Sequence, residues 1–209
     1  MNRIFLVVCI CCGLSVSSFI SAQDNALLER FYANVSKSCV ELTYDYTARV
    51  SGVNNVGQGV LSAQGYMWLM EGNGVKMCCD SSSLWVMDPA MKEVVIEPAA
   101  AGDDALVMTN PATFLMHLNE MFLVRETRKS SDDKSVLYIL DPKSKDKIEY
   151  FNVEISADDA SVQNASFALT DGTYVKIKVS SMKLTPKRPV EDFRPQMVFD
   201  SSWIITDLR

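Results

Sequence analysis

The chain's capacity for acid–base chemistry is bounded by a single histidine in 209 residues. A Ser-His-Asp arrangement could draw only on His117. That residue ends a short apolar run beside Phe114 and Leu118, a setting for a surface or helix-end histidine rather than a general base. Asp103 and Asp104 imitate an acid pair, but they are adjacent in an Ala/Gly stretch and read as a solvated loop. Asp158-Asp159 reads as a turn. Of six cysteines, Cys9, Cys11 and Cys12 fall in the N-terminal apolar segment. Cys39, Cys78 and Cys79 remain, an odd set that permits one disulfide and one free thiol, or three small buried hydrophobes. Neighbours on a strand face opposite ways, so at most one of Cys78 and Cys79 can face Cys39. No spaced four-ligand set exists, and neither does a glycine-rich phosphate loop or a nucleophile elbow. The expectation is therefore no enzyme, no metal and no cofactor.

Soft apolar matter is what the sequence does concentrate. Among eleven methionines, Met67, Met70, Met77, Met87 and Met116 lie close to Trp68, Trp85 and Phe114. Methionine is unbranched and polarizable, so it fills an ordinary core or lines a cavity that must accept flexible chains. The net charge of −6, with no basic cluster, argues against a nucleic-acid partner.

The elements that would position these residues can be read in order. Asn2 and Arg3, the apolar Ile4–Leu14 and the small, polar Ser15–Ala22 have the layout of a cleaved secretory signal. The remainder, residues 23–209, has the length of one domain. Asp24 caps an expected amphipathic helix over 24–38, with Leu27, Leu28, Phe31 and Val35 on one stripe. From Val40 to Val50 apolar and polar residues alternate strictly, which marks a strand with one dry and one wet face. A turn is expected at Gly52–Asn55. Strands follow near 56–63, 66–70, 75–79, 84–87 and 92–97, the fourth apolar on both faces near Trp85. Residues 98–109 read as a loop, and Asn110-Pro111 starts a short apolar helix. Further strands are expected near 121–129, 134–140, 147–156, 161–169 and 173–184, with Asp171-Gly172 as a hairpin turn. Three prolines make 185–196 an extended crossing segment, and a last strand is expected near 203–206. The fold class is thus α+β and mainly β: a curved antiparallel sheet of about ten or eleven strands, an open half-barrel with helices on its concave face.

Three segments carry a family resemblance. Asp80–Pro89, with its serine turn, Leu84-Trp85 and Asp88-Pro89, resembles a turn–Leu-Trp–Asn/Asp-Pro stretch of the LolA-like outer-membrane lipoprotein carriers. Val56-Gly57-Gln58-Gly59-Val60-Leu61 is similar to that family's Gly-Gln-Gly strand, and Asn110–Leu115 to its second helix start. Their order and spacing match over about residues 25–125. The resemblance implies a periplasmic carrier that binds acyl chains of lipoproteins, or another lipid, without converting them. It also implies a monomer that meets an inner-membrane donor and an outer-membrane acceptor. The expected acyl-chain cavity is lined by Tyr44, Tyr46, Trp68, Trp85, Met87, Phe114 and Met116. One departure stands out: the family's Arg-Pro pair, whose arginine bonds lid carbonyls, is replaced by Ala63-Gln64-Gly65. That departure leaves room for a different lipid, or for an interaction module of the cell envelope that shares the fold.

Overall fold

The computed structural model describes residues 22–99, 115–144 and 147–209. Residues 1–21 of the expected signal segment, the loop after Ala99, the Asn110 helix start and Phe114 lie outside the described residues. Helix α1 (Ala22–Lys37) carries the anticipated stripe, and Leu27, Leu28, Phe31 and Val35 are all buried. A one-turn helix, α2 (Leu118–Met121), precedes the second run of strands.

Twelve strands form a single sheet that does not close into a barrel. The first run is β1 (Cys39–Val50), β2 (Val53–Gln64), β3 (Met67–Gly72), β4 (Val75–Asp80), β5 (Ser83–Asp88) and β6 (Glu93–Pro98). The second is β7 (Phe122–Lys129), β8 (Ser135–Pro142), β9 (Ile148–Ser156), β10 (Val162–Leu169) and β11 (Tyr174–Thr185). Each run is an antiparallel meander, and β1 pairs with β11 to join them along 11 residue pairs. The connections are tight, as twisted hairpins require. Ser51 and Gly52, at φ 49° and 82°, turn β1 into β2, so the strand begins three residues earlier than expected. Gly172, at φ 84°, turns β10 into β11 as anticipated.

The chain ends differently from a simple meander. After β11, residues 186–203 cross the outer face of the first run, with a 3-10 turn at Val190–Phe193. Strand β12 (Ile204–Asp207) then pairs with β6, parallel to it, at the far edge. Two clusters result from this layering. The larger lies on the concave face and takes in α1 and α2; it includes Phe31, Leu42, Trp68, Leu118, Phe151 and Ile177. The smaller lies on the opposite face of β4–β6, where Phe199 and Trp203 of the crossing segment cover Cys78, Trp85, Met87, Val94 and Ile96. That second layer explains why β5 is apolar on both faces: Leu84 and Val86 join the concave cluster on one side, and the C-terminal segment covers the other.

Candidate concave site

The pairing registers define straight rows of side chains across the sheet, because directly opposite residues share a face. One row runs Leu42–Leu61–Met70–Met77–Val86–Val95 from β1 to β6. Leu42 and Leu61 are buried, whereas Met70, Met77, Val86 and Val95 are only half-buried. The next row, Val40–Ala63–Trp68–Cys79–Leu84, is buried throughout. A third sets Tyr44 opposite Gly59, while Tyr46 faces Gly57. The spacing Tyr-x-Tyr against Gly-x-Gly has a steric cause. A Cβ on Gly59 would lie 2.9 Å from the Tyr44 ring, and one on Gly57 would lie 2.8 Å from the Tyr46 ring. The two rings therefore lie against bare backbone and form a smooth apolar floor. Burial, helped by neighbouring Tyr46, pushes the Tyr44 phenol up to about 12, so it stays neutral. Asn73 of the β3–β4 turn donates to the Tyr46 hydroxyl at the edge of this floor.

The expected cavity residues divide between the two faces. Tyr44 and Trp68 belong to the concave cluster, and Tyr46 and Met116 pack against it half-buried. Trp85 and Met87 face away from them, in the cluster under the C-terminal segment. The reason is strand alternation: on β5, Leu84 and Val86 point inward, so Trp85 and Met87 point outward. The half-exposed inward positions Met70, Met77 and Val86 are not among the expected lining residues. Alternation about Trp68 and Leu84 indicates them only once the concave face is known.

His117, expected at the end of a helix, stands just before α2, and it is not a surface residue. It is 3% exposed at the N-terminus of α2, its Nε2 is 3.1 Å from the Gly65 carbonyl, and its Nδ1 is 3.1 Å from Glu120 Oε2. Its ring stacks on Tyr66 at 4.2 Å, and the Tyr66 hydroxyl donates to the same Glu120 oxygen. This cluster ties the turn after β2 to α2. On the concave side, Arg30 of α1 likewise donates to the Ala157 and Asp158 carbonyls of the β9–β10 turn. A cleft of about 460 Å³ opens beside it, between Leu27, Lys129, Val136 and Ala157. Cys39, Cys78 and Cys79 are all free and buried. Burial, reinforced by Cys79, raises the Cys78 thiol to about 11, and burial also raises Cys79, so neither is a ready nucleophile.

On the outer face, Asp80 fastens the crossing segment. Its Oδ1 accepts from the Ser82 amide, the Ser82 hydroxyl and the Ser83 amide, while Oδ2 accepts from Arg194 Nε at 2.7 Å. Burial alone would raise this carboxyl; the bonds from Ser82, Arg194 and Ser83 outweigh it and hold the group at about 2. Gln64, within the Ala63-Gln64-Gly65 stretch, exchanges two bonds with the Arg188 backbone in the same segment. That position therefore serves the outer layer.

No family model matches the chain. An outer-membrane lipoprotein carrier protein of Shewanella frigidimarina (strain NCIMB 400) is 25% identical over 203 residues, covering 92% of this chain and 88% of that protein. Among solved structures, an uncharacterized conserved protein from Thermus thermophilus is similar with a TM-score of 0.52 at 12% identity. That match covers 88% of this chain and 98% of the other, and it shows a shared fold. A LolA superfamily protein from Nitrosomonas europaea has a TM-score of 0.44 and 10% identity, over 85% of this chain and 99% of that one.

Proposed function

We propose that this LolA-like chain is a periplasmic carrier that holds acyl chains of lipoproteins, or a related lipid, on its concave face without chemical conversion. The observation that carries the reading is the row Leu61–Met70–Met77–Val86–Val95, which is apolar across five strands yet only half-buried from Met70 onward. Each buried CH₂ of a chain laid on such a row gains about 0.8 kcal/mol. Unbranched methionines at its centre can re-form their contacts around chains of different shape. Tyr44, Tyr46, Trp68 and Met116 complete the lining. Export by a cleaved signal and exchange with a membrane donor and acceptor follow from the same reading. The similarity to a lipoprotein carrier over nearly the whole chain supports it.

Displacement of a fluorescent fatty acid tests the reading. The mature chain should bind the probe, and the double substitution Met70→Asp/Met77→Asp should weaken binding at least about tenfold while the circular dichroism is unchanged. An unaltered affinity in a folded double variant would remove the concave row from consideration.

A further inference from the structure

The outer edge of β2 offers an unprotected template for another strand. Strand β2 pairs with β1 along its whole length, but β3 reaches only Gly59–Gln64. Among the described residues, no strand pairs with the β3 side of Val53–Gln58. Exposed strand edges recruit other chains, and natural proteins blunt them with charge, proline, bulges or brevity. The two outermost strands of this sheet are blunted. Strand β7 carries Arg125, Glu126, Arg128 and Lys129 and a register shift after Val124. Strand β12 has only four residues. The six residues Val53-Asn54-Asn55-Val56-Gly57-Gln58 have no charge and no proline, and Val53 and Val56 are 62% and 75% exposed.

We infer that this edge takes an extended, uncharged polypeptide segment by strand addition, and that the segment is the part of the cargo adjoining its acylated end. The inference rests on the carrier reading above and names a second feature of its cargo. Two observations favour this occupant. The edge continues into the concave floor, because Gly57 lies where Tyr46 and Asn73 meet. A chain leaving the tyrosine floor at Gly57 can run on along β2. The edge is also short: six residues extend about 20 Å, and one strand pairing of that length is a smaller contact than the roughly 1,200–2,000 Å² of a stable interface. It suits a contact that adds to another, with main-chain bonds giving affinity and alternate side chains meeting Val56 on one face and Val53 on the other.

Three probes on the mature chain separate the possibilities: an N-palmitoylated decapeptide of alternating Ser and Val, the same peptide without palmitate, and palmitic acid. The palmitoylated peptide should bind about tenfold more tightly than palmitic acid and should protect the Val53–Gln58 amides from hydrogen exchange. Val56→Lys and, separately, Asn55→Pro should abolish that advantage and leave palmitic acid binding unchanged; the lysine variant keeps the test valid if the proline one misfolds. Equal affinity for palmitoylated peptide and palmitic acid, or no protection at 53–58, overturns the inference. Protection of 53–58 before any peptide is added, in a dimer that Val56→Lys dissociates, overturns it in favour of a second copy. If palmitic acid does not bind but the peptide still protects 53–58 in a Val56-dependent way, the carrier reading fails while the edge stands.

Discussion

In the second run of strands, one inward row reads Leu140–Phe151–Phe167–Val175, and each member is at most 7% exposed. In the first run, the corresponding inward row of Met70, Met77, Val86 and Val95 is half open. The second run is locked by aromatic contact: Phe122 and Phe151 centroids are 5.1 Å apart, and Phe151 and Phe167 are 6.0 Å apart and stacked. Rings and branched side chains have few rotamers and make a fixed solid. Methionines have three rotatable bonds and make a surface that adapts. On this contrast the second run should behave as a rigid half and the first as a more pliant one.

The strongest way to break this contrast is to truncate one residue from each half. Phe151→Ala should cost about 3–5 kcal/mol, because a fully buried ring leaves a cavity among packed neighbours. Met77→Ala should cost less, about 1–2 kcal/mol, since its side chain is only partly buried. Urea denaturation of the two variants measures both. Comparable losses would mean that the first run is as solid as the second, and the idea of a pliant half would fall.

The outer layer of the first run gives the next effect. Asp80→Ala removes the acceptor of four hydrogen bonds and should destabilise by about 2–3 kcal/mol. The pH dependence has a definite sign. The folded carboxyl, at about 2, lies below its unfolded value of about 3.9, so its stabilisation is complete above that value. It is lost as pH falls through about 2. Part of the effect is screened, because the Arg194 side chain is half-exposed. Wild type and Asp80→Asn should therefore differ most near pH 5 and converge near pH 2 in thermal unfolding. A constant difference across that range would show that Asp80 acts through shape and not charge.

Gly59→Ala probes the tyrosine floor of the first run. The new methyl would meet the Tyr44 ring at 2.9 Å and the Glu71 carbonyl at 3.3 Å. The ring must move from the floor, at a cost of about 1–2 kcal/mol, within the range for overpacked sites. The concave floor would roughen in the same step, so fatty-acid affinity should fall together with stability. A loss of stability with full affinity would separate Tyr44 from the site.

Much of this division could be read from the residues, and the limits have physical causes. The alternation from Val40 to Val50 is local and strict, so β1 and its dry face were legible. The helix stripe Leu27, Leu28, Phe31 and Val35 was equally legible. The pairing of β1 with β11 joins residues more than 120 positions apart, and the parallel docking of β12 on β6 more than 100; neither leaves a local trace. That Trp85 and Met87 point outward leaves no local trace, because β5 is apolar on both sides and alternation cannot say which side is concave. The same long-range blindness hid the burial of His117, which depends on Gly65 and Tyr66 in a distant turn.

The smallest effect is the most discriminating for the pliant half. Met77→Leu conserves volume and hydrophobicity, so it should change stability by about 1 kcal/mol or less. It replaces a flexible thioether with a branched side chain in the middle of the open row, between Met70 and Val86. If adaptability is what the row supplies, the variant should keep its affinity for one acyl length and lose it for others, so that a series of fatty acids from ten to eighteen carbons, bound about equally by wild type, becomes graded. If instead the row supplies only apolar area, leucine offers as much as methionine. The variant would then bind the whole series as wild type does, and the contrast between the two halves would be one of exposure alone.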